Sequence, residues 1–170
     1  MTSLNFDYFL ALEQDLERYS RYIEFHEDNF NTYSLELVRL LLAAGSEIDV
    51  ILKELCRRIE PNKFPDKITE YKDIVLAKFP EIEQSQVRIA KYHLKSTPWC
   101  GWSQSSPSWW KSYNNVKHDR LKNYKEGNLG NVLMAVSGLG VLMQYISENE
   151  DENFRGEFFG GLYKRLQIWN

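Results

Sequence analysis

The stretch LELVRLLLAAGSEIDVILKELCRRIE, residues 35–60, decides the fold class. Leu37, Leu41, Ala44, Ile48, Ile51, Leu55 and Ile59 recur in alternating steps of four and three, which lays them along one stripe of an α-helix. At 1.5 Å per residue the helix runs roughly 39 Å, enough to form the spine of a helical bundle. Thr32 or Ser34 can cap its start, although Leu37 stands where a full capping box needs glutamate. Pro61 ends it. Gly45 interrupts it at a cost of about 1 kcal/mol relative to alanine. Either a neighbouring helix comes close there, or the glycine lies on a tolerant surface.

Outward from this helix the pattern stays helical. Residues 5–24 place Leu12, Leu16, Tyr19 and Ile23 at helical spacing, and residues 26–31 form a polar turn. A short helix follows at residues 67–79, with Ile68, Tyr71, Ile74 and Val75 on one face and Pro80 as its stop. Val87, Ile89, Tyr92 and Leu94 alternate with polar residues, so residues 85–95 read as a short strand or an extended arm. Residues 96–108 form a loop tied down by Trp99 and Trp102. Helix resumes over residues 108–122 and again over 129–148. The small residues Ala135, Ser137, Gly138 and Gly140 of that last helix permit close packing. The acidic run 148–152 reads as solvated, and the apolar tail 153–170 as a segment that docks. The expected fold is all-α: one domain, 1–170, built as an antiparallel bundle of four to five helices with one irregular arm.

Composition bounds the rest. A chain of 170 residues buries a real core without staples. Hydrophobic content of 43% and charged content of 26% are ordinary for a globular protein. The net charge of −3 excludes a protein that coats nucleic acid by bulk charge, but leaves room for a local basic site. Cys56 and Cys100 lack CxxC partners, so no zinc or other metal site is expected, and both read as reduced thiols of a cytoplasmic protein. No signal peptide is seen at the N-terminus. Residues 132–146, the most apolar run, read as too short and too broken to span a bilayer, so no membrane partner is expected.

Chemistry concentrates in residues 107–120, PSWWKSYNNVKHDR. His118 supplies an imidazole, a group able to give or take a proton in acid–base chemistry. Helical spacing brings Asn114 and Asn115 within a turn of His118 and sets Lys111 two turns back on a similar face. Lys111, Lys117 and Arg120 can neutralise a phosphate, and Asn115 can orient it. Asp119 either sets the imidazole tautomer or pairs with Arg120. Trp109, Trp110 and Tyr113 either anchor the helix in the core or stack on bases. Glu47, beside the apolar stripe, either faces solvent or reaches inward to Lys111, Arg120 or His118, where it would raise the imidazole pKa.

Trp109-Trp110-x-x-Tyr113-Asn114-x-x-Lys117-His118-Asp119-Arg120, followed by a polar turn and an apolar helix, resembles the motif region of HEPN-like proteins. The run Ala43-Ala44-Gly45-Ser46-Glu47-Ile48-Asp49 on a long helix resembles the same group. The resemblance implies a helical bundle that homodimerises, needs no cofactor, and acts on RNA or a nucleotide. Many members are metal-independent ribonucleases of toxin–antitoxin or phage-defence systems, where a cognate antitoxin protein is a partner. Their site, at a dimer cleft, combines an arginine and a histidine separated by four to six residues, with a polar residue after the arginine. His118 matches the histidine. At that spacing stands Lys111, with six residues between, and lysine does not reproduce the bidentate grip of arginine on phosphate. Arg88 and His93, with four residues between them in the extended arm, also meet the spacing, with apolar Ile89 in place of the polar residue.

Two readings follow. In the first the protein is an endoribonuclease with His118 as acid or base, Lys111, Lys117 and Arg120 as charge stabilisers, and Asn115 as orienter. Asn114, Tyr113, Asp119 and Glu47 complete its substrate-binding surroundings. In the second it is a non-catalytic homodimer that binds RNA, a nucleotide or a protein. Accessibility of His118 in a cleft beside Arg120 favours the first reading.

Overall fold

The computed structural model describes residues 3–147. The acidic run and the apolar tail of the sequence reading lie outside these residues. Five α-helices carry most of the described chain: α1 (Ser3–Tyr19), α2 (Leu35–Ile59), α3 (Ile68–Lys78), α4 (Ser108–His118) and α5 (Leu129–Ser147). A two-stranded antiparallel sheet, β1 (Val87–Ile89) with β2 (Leu94–Ser96), joins them. The domain is therefore mostly helical rather than strictly all-α.

The long helix forms where its stripe requires. Ser34 is the cap: its Oγ accepts the Leu37 N–H at 3.1 Å, which satisfies one of the orphan donors of the first turn. The same Oγ hydrogen-bonds the Tyr19 hydroxyl at 2.7 Å, fastening the end of α1 to the start of α2. Leu37, Leu41, Ala44, Ile48, Ile51 and Leu55 are all buried, and α5 is the main element packed against them. Burying a side chain of this size stabilises by about 1.5–3 kcal/mol, so this seam dominates the core. A hydrogen bond from Tyr71 Oη to Asp49 Oδ1, 2.8 Å long, ties α3 to α2.

Glycines set the spacing between helices. A Cβ on Gly45 would lie 2.3 Å from Cδ2 of Tyr113, so α4 approaches α2 through the ring that rests on this glycine. A Cβ on Gly138 would meet Trp109 Cζ2 at 3.1 Å, the equivalent contact between α5 and α4. Of the two sequence readings of Gly45, close approach is the correct one.

Two elements differ from the sequence reading. The extended arm is a hairpin, with register Val87↔Ser96, Arg88↔Lys95 and Ile89↔Leu94. Its turn places His93 at φ +56°, and the Tyr92 ring packs 4.9 Å from Phe25. Helix α4 stops at His118 rather than 122, because the Asn123 side chain donates to the carbonyls of Asn115 and Asp119 and closes the helix end. Helix α5, by contrast, runs Leu129–Ser147, within a residue of the bounds read from the sequence. By length and composition Leu129–Ile146 is enough to cross a membrane, but 78% of it is buried inside the domain. It is the central core helix.

Candidate nucleic-acid interface

The tryptophans of the motif build the core. Trp102, Trp99, Trp109, Trp110 and Tyr113 form a continuous ladder with successive centroid distances of 4.5, 5.2, 6.0 and 5.0 Å. Trp99 Nε1 donates to the Gly138 carbonyl at 3.0 Å, and Trp109 Nε1 to the Pro98 carbonyl at 2.8 Å. Both polar handles are thus satisfied inside the domain. Tyr113 is 4% exposed, so its assignment to substrate is corrected: the ring fills the gap over Gly45 and offers no face to a base.

The opposite face of α4 meets solvent. Lys111, Asn115 and His118 are exposed and Asn114 is half-buried, as a spacing of three, four and seven requires. Among the described residues neither His118 nor Arg120 makes a side-chain hydrogen bond or ion pair. Asn115 is committed elsewhere: its Nδ2 donates to both Glu126 carboxylate oxygens at 3.1 Å. Asp119 does not pair with Arg120 or His118. Its Oδ1 accepts the Lys122 N–H at 3.2 Å and shapes the turn after α4. Lys117 Nζ lies 5.5 Å from the Tyr113 ring centroid, over the edge of the core. The sequence motif therefore divides into core, helix-end scaffold and an exposed cationic remainder.

Glu47 faces inward but does not meet that remainder. It is 9% exposed, and its Oε1 is buried with no hydrogen-bond partner among the described residues. Burial raises its carboxyl above the ordinary value of 4.5. A folded pKa above the unfolded one contributes stability that is complete below 4.5 and is lost as pH rises through the folded value. Glu47→Gln is therefore expected to be more stable than wild type at pH 8, by about 1 kcal/mol, and equal to it near pH 4. Thermal melts across this range check it; parallel pH profiles for the two proteins would count against a raised Glu47.

Charge is segregated along the chain. Between Glu83 and Asp119 there is no Asp or Glu, while Arg88, Lys91, Lys95, Lys111 and Lys117 fall in this segment and Arg120, Lys122 and Lys125 follow it. The lysine and arginine ion pairs described, from Arg18–Asp15 to Lys72–Asp73, all precede it. None of the cations from Arg88 to Lys125 has a carboxylate partner among the described residues. Three lie over tyrosines instead: Lys91 over Tyr92, Lys117 over Tyr113 and Lys125 over Tyr33.

The two cationic groups are linked through the start of α5. Lys95 and Asn128 line one cavity, and Asn128 Nδ2 donates to the Lys125 carbonyl at 3.1 Å. A second, separate depression on the turn after α4 is lined by Tyr33, Lys122, Tyr124 and Lys125. The local motif reading missed the hairpin cations, Lys122, Lys125 and the scaffold residues Glu126 and Asn123. The absence of acidic residues from 84 to 118 was the signal that could have found the first of these.

Arg88 and His93 do not form a site. Arg88 is half-buried on β1 with its Nε unpartnered, His93 is exposed at the hairpin turn, and no hydrogen bond joins them. No cluster of three potential metal ligands occurs among the described residues. Comparison with family models, curated proteins and solved structures returns no match.

Proposed function

We propose that this chain is a HEPN-like helical module, arranged as an antiparallel bundle, that binds single-stranded RNA along the acid-free segment and the turn after α4. The observation that carries this reading is the unneutralised charge. Cations spread from Arg88 to Lys125 have no carboxylate partner among the described residues, whereas most of those of α1 to α3 are paired. A phosphate backbone supplies the missing counter-charge, and the acidic remainder of the chain steers it to one region. Salt titration of wild-type protein against a fluorescent single-stranded RNA is the test. Affinity that falls steeply with salt supports the reading; no binding at low salt refutes it.

Cleavage is a second reading, favoured by one observation: His118 is exposed between Lys117 and Arg120 with no bond occupying its ring. Among the described residues no second acid–base group is held against it, and Asn115 is engaged by Glu126. Catalysis would thus need a residue from a second copy. The apolar stripe of α2 is spent inside the domain, so a homodimer would use other surfaces, such as Leu35 or Leu121, which is 88% exposed. Incubation of RNA with wild type and His118→Ala in EDTA is expected to show binding without cleavage by either. Cleavage by wild type alone would restore the enzyme reading.

A further inference from the structure

A cavity of about 420 Å³ opens between the hairpin, the segment at Phe30 and Asn31, and the first half of α5. That volume lies within the range of small-ligand sites. Phe30, Ile89, Leu94 and Met134 give it apolar walls from three different elements. Part of its polar lining is unspent, although Asn128 engages both ends of its amide, on Lys125 and Asn131. Ser137 lines it at 1% exposure, and its hydroxyl makes no hydrogen bond among the described residues. Asn131 uses its Nδ2 on the Glu126 carbonyl, which leaves Oδ1 free, and no side-chain bond of Asn31 is found among the described residues.

A nearly buried hydroxyl without a partner is uncommon, because desolvating it uncompensated is costly. When it lines a cavity, whatever fills the cavity supplies the bond. Apolar walls suit a flat, weakly polar body; the amides and hydroxyl suit an edge bearing both donors and acceptors. Lys95, also in the lining, suits an attached phosphate. Arg88, its partner across the sheet, is not among the residues that line the cavity.

We propose that this cavity takes one unstacked base of the bound RNA, with Ser137, Asn131 and Asn31 reading its edge and Lys95 holding its phosphate. Bases held away from their neighbours are recognised in this way, between apolar or aromatic faces with hydrogen bonds at the edge. The proposal rests on the RNA-binding reading and gives it a specificity element that the cationic surface alone lacks.

The test uses the full chain and two variants. Leu94→Trp fills the cavity from its half-exposed mouth, and Ser137→Ala removes only the hydroxyl. Saturation-transfer NMR with AMP, GMP, CMP and UMP is expected to show binding of at least one by wild type. That signal should vanish in Leu94→Trp and weaken in Ser137→Ala. RNA affinity of Leu94→Trp should fall about tenfold, the scale of one base contact, with an unchanged salt slope because the phosphate contacts remain. A thermal melt confirms that each variant is folded, and Ser137→Ala decides the matter if Leu94→Trp is not. Absence of any nucleotide signal from wild type, or a signal unchanged in the folded variants, overturns the base pocket. RNA binding that persists alongside that result leaves the RNA reading standing. Nucleotide binding lost in the variants without any RNA binding confirms the cavity as a nucleotide site and removes the RNA reading.

Discussion

Gly45→Ala is expected to cost about 3 kcal/mol of folding stability, a fall of roughly 6–12 °C in melting temperature for a chain of this size. The new methyl would lie 2.3, 2.4 and 2.6 Å from three atoms of the Tyr113 ring. That ring has no room to retreat, since it is 4% exposed and stacked 5.0 Å from Trp110, itself part of the tryptophan ladder. Helices α2 and α4 must therefore part, loosening contacts well beyond the glycine. Alanine returns about 1 kcal/mol through its better helix propensity, which the clash outweighs. Denaturant titration measures the loss. In a Tyr113→Leu background the same substitution should cost less, because the smaller side chain can move aside. Wild-type stability for Gly45→Ala would mean that α4 does not rest on α2 at this position.

Replacing Lys117, Arg120, Lys122 and Lys125 together by alanine is expected to weaken single-stranded RNA binding about a thousandfold at low salt. It should also reduce the slope of log affinity against log salt by roughly 3, since each phosphate contact on a single strand contributes about 0.7. None of the four makes an ion pair among the described residues, so the fold should survive. The loss of the contacts from Lys117 to Tyr113 and from Lys125 to Tyr33 costs about 0.5–1 kcal/mol each at exposed sites. A matched control removes Arg39, Lys53, Arg57 and Lys63, which are paired with Glu36, Asp49, Glu54 and Glu60. The control should leave the RNA salt slope almost unchanged. Equal slopes for wild type and the first variant would place the RNA elsewhere.

Much of the secondary structure was legible because its causes are local. The stripe from Leu37 to Leu55, the Ser34 cap and the stop at Pro61 each act within a few residues, and α2 runs Leu35–Ile59 as they require. The alternation at residues 87–94 was equally local, but one arm and a hairpin share the same period. Only the cross-strand register Arg88↔Lys95 separates them. The end of α4 was misplaced because it depends on Asn123, whose side chain reaches back eight residues to the Asn115 carbonyl.

The candidate site was less legible. Residue types in the PSWWKSYNNVKHDR segment suggested one chemical constellation, yet a helix sends them in opposite directions. Tyr113 and the tryptophans turn inward, while Lys111 and His118 turn outward. The cavity beneath the hairpin was not legible at all, since Phe30, Leu94 and Ser137 are far apart in the chain.

By itself the sequence determined the helical class, the bounds of α2 and an acid-free cationic segment, because periodicity, capping and charge are properties of neighbouring residues. Tertiary structure alone decided that Gly45 is a contact point, that Glu47 is buried without a partner, and that Asn115 serves Glu126. It also decided that a polar-floored cavity adjoins the cations. Each of these depends on which groups from distant segments compete for the same space and the same hydrogen bonds, and only packing settles that competition.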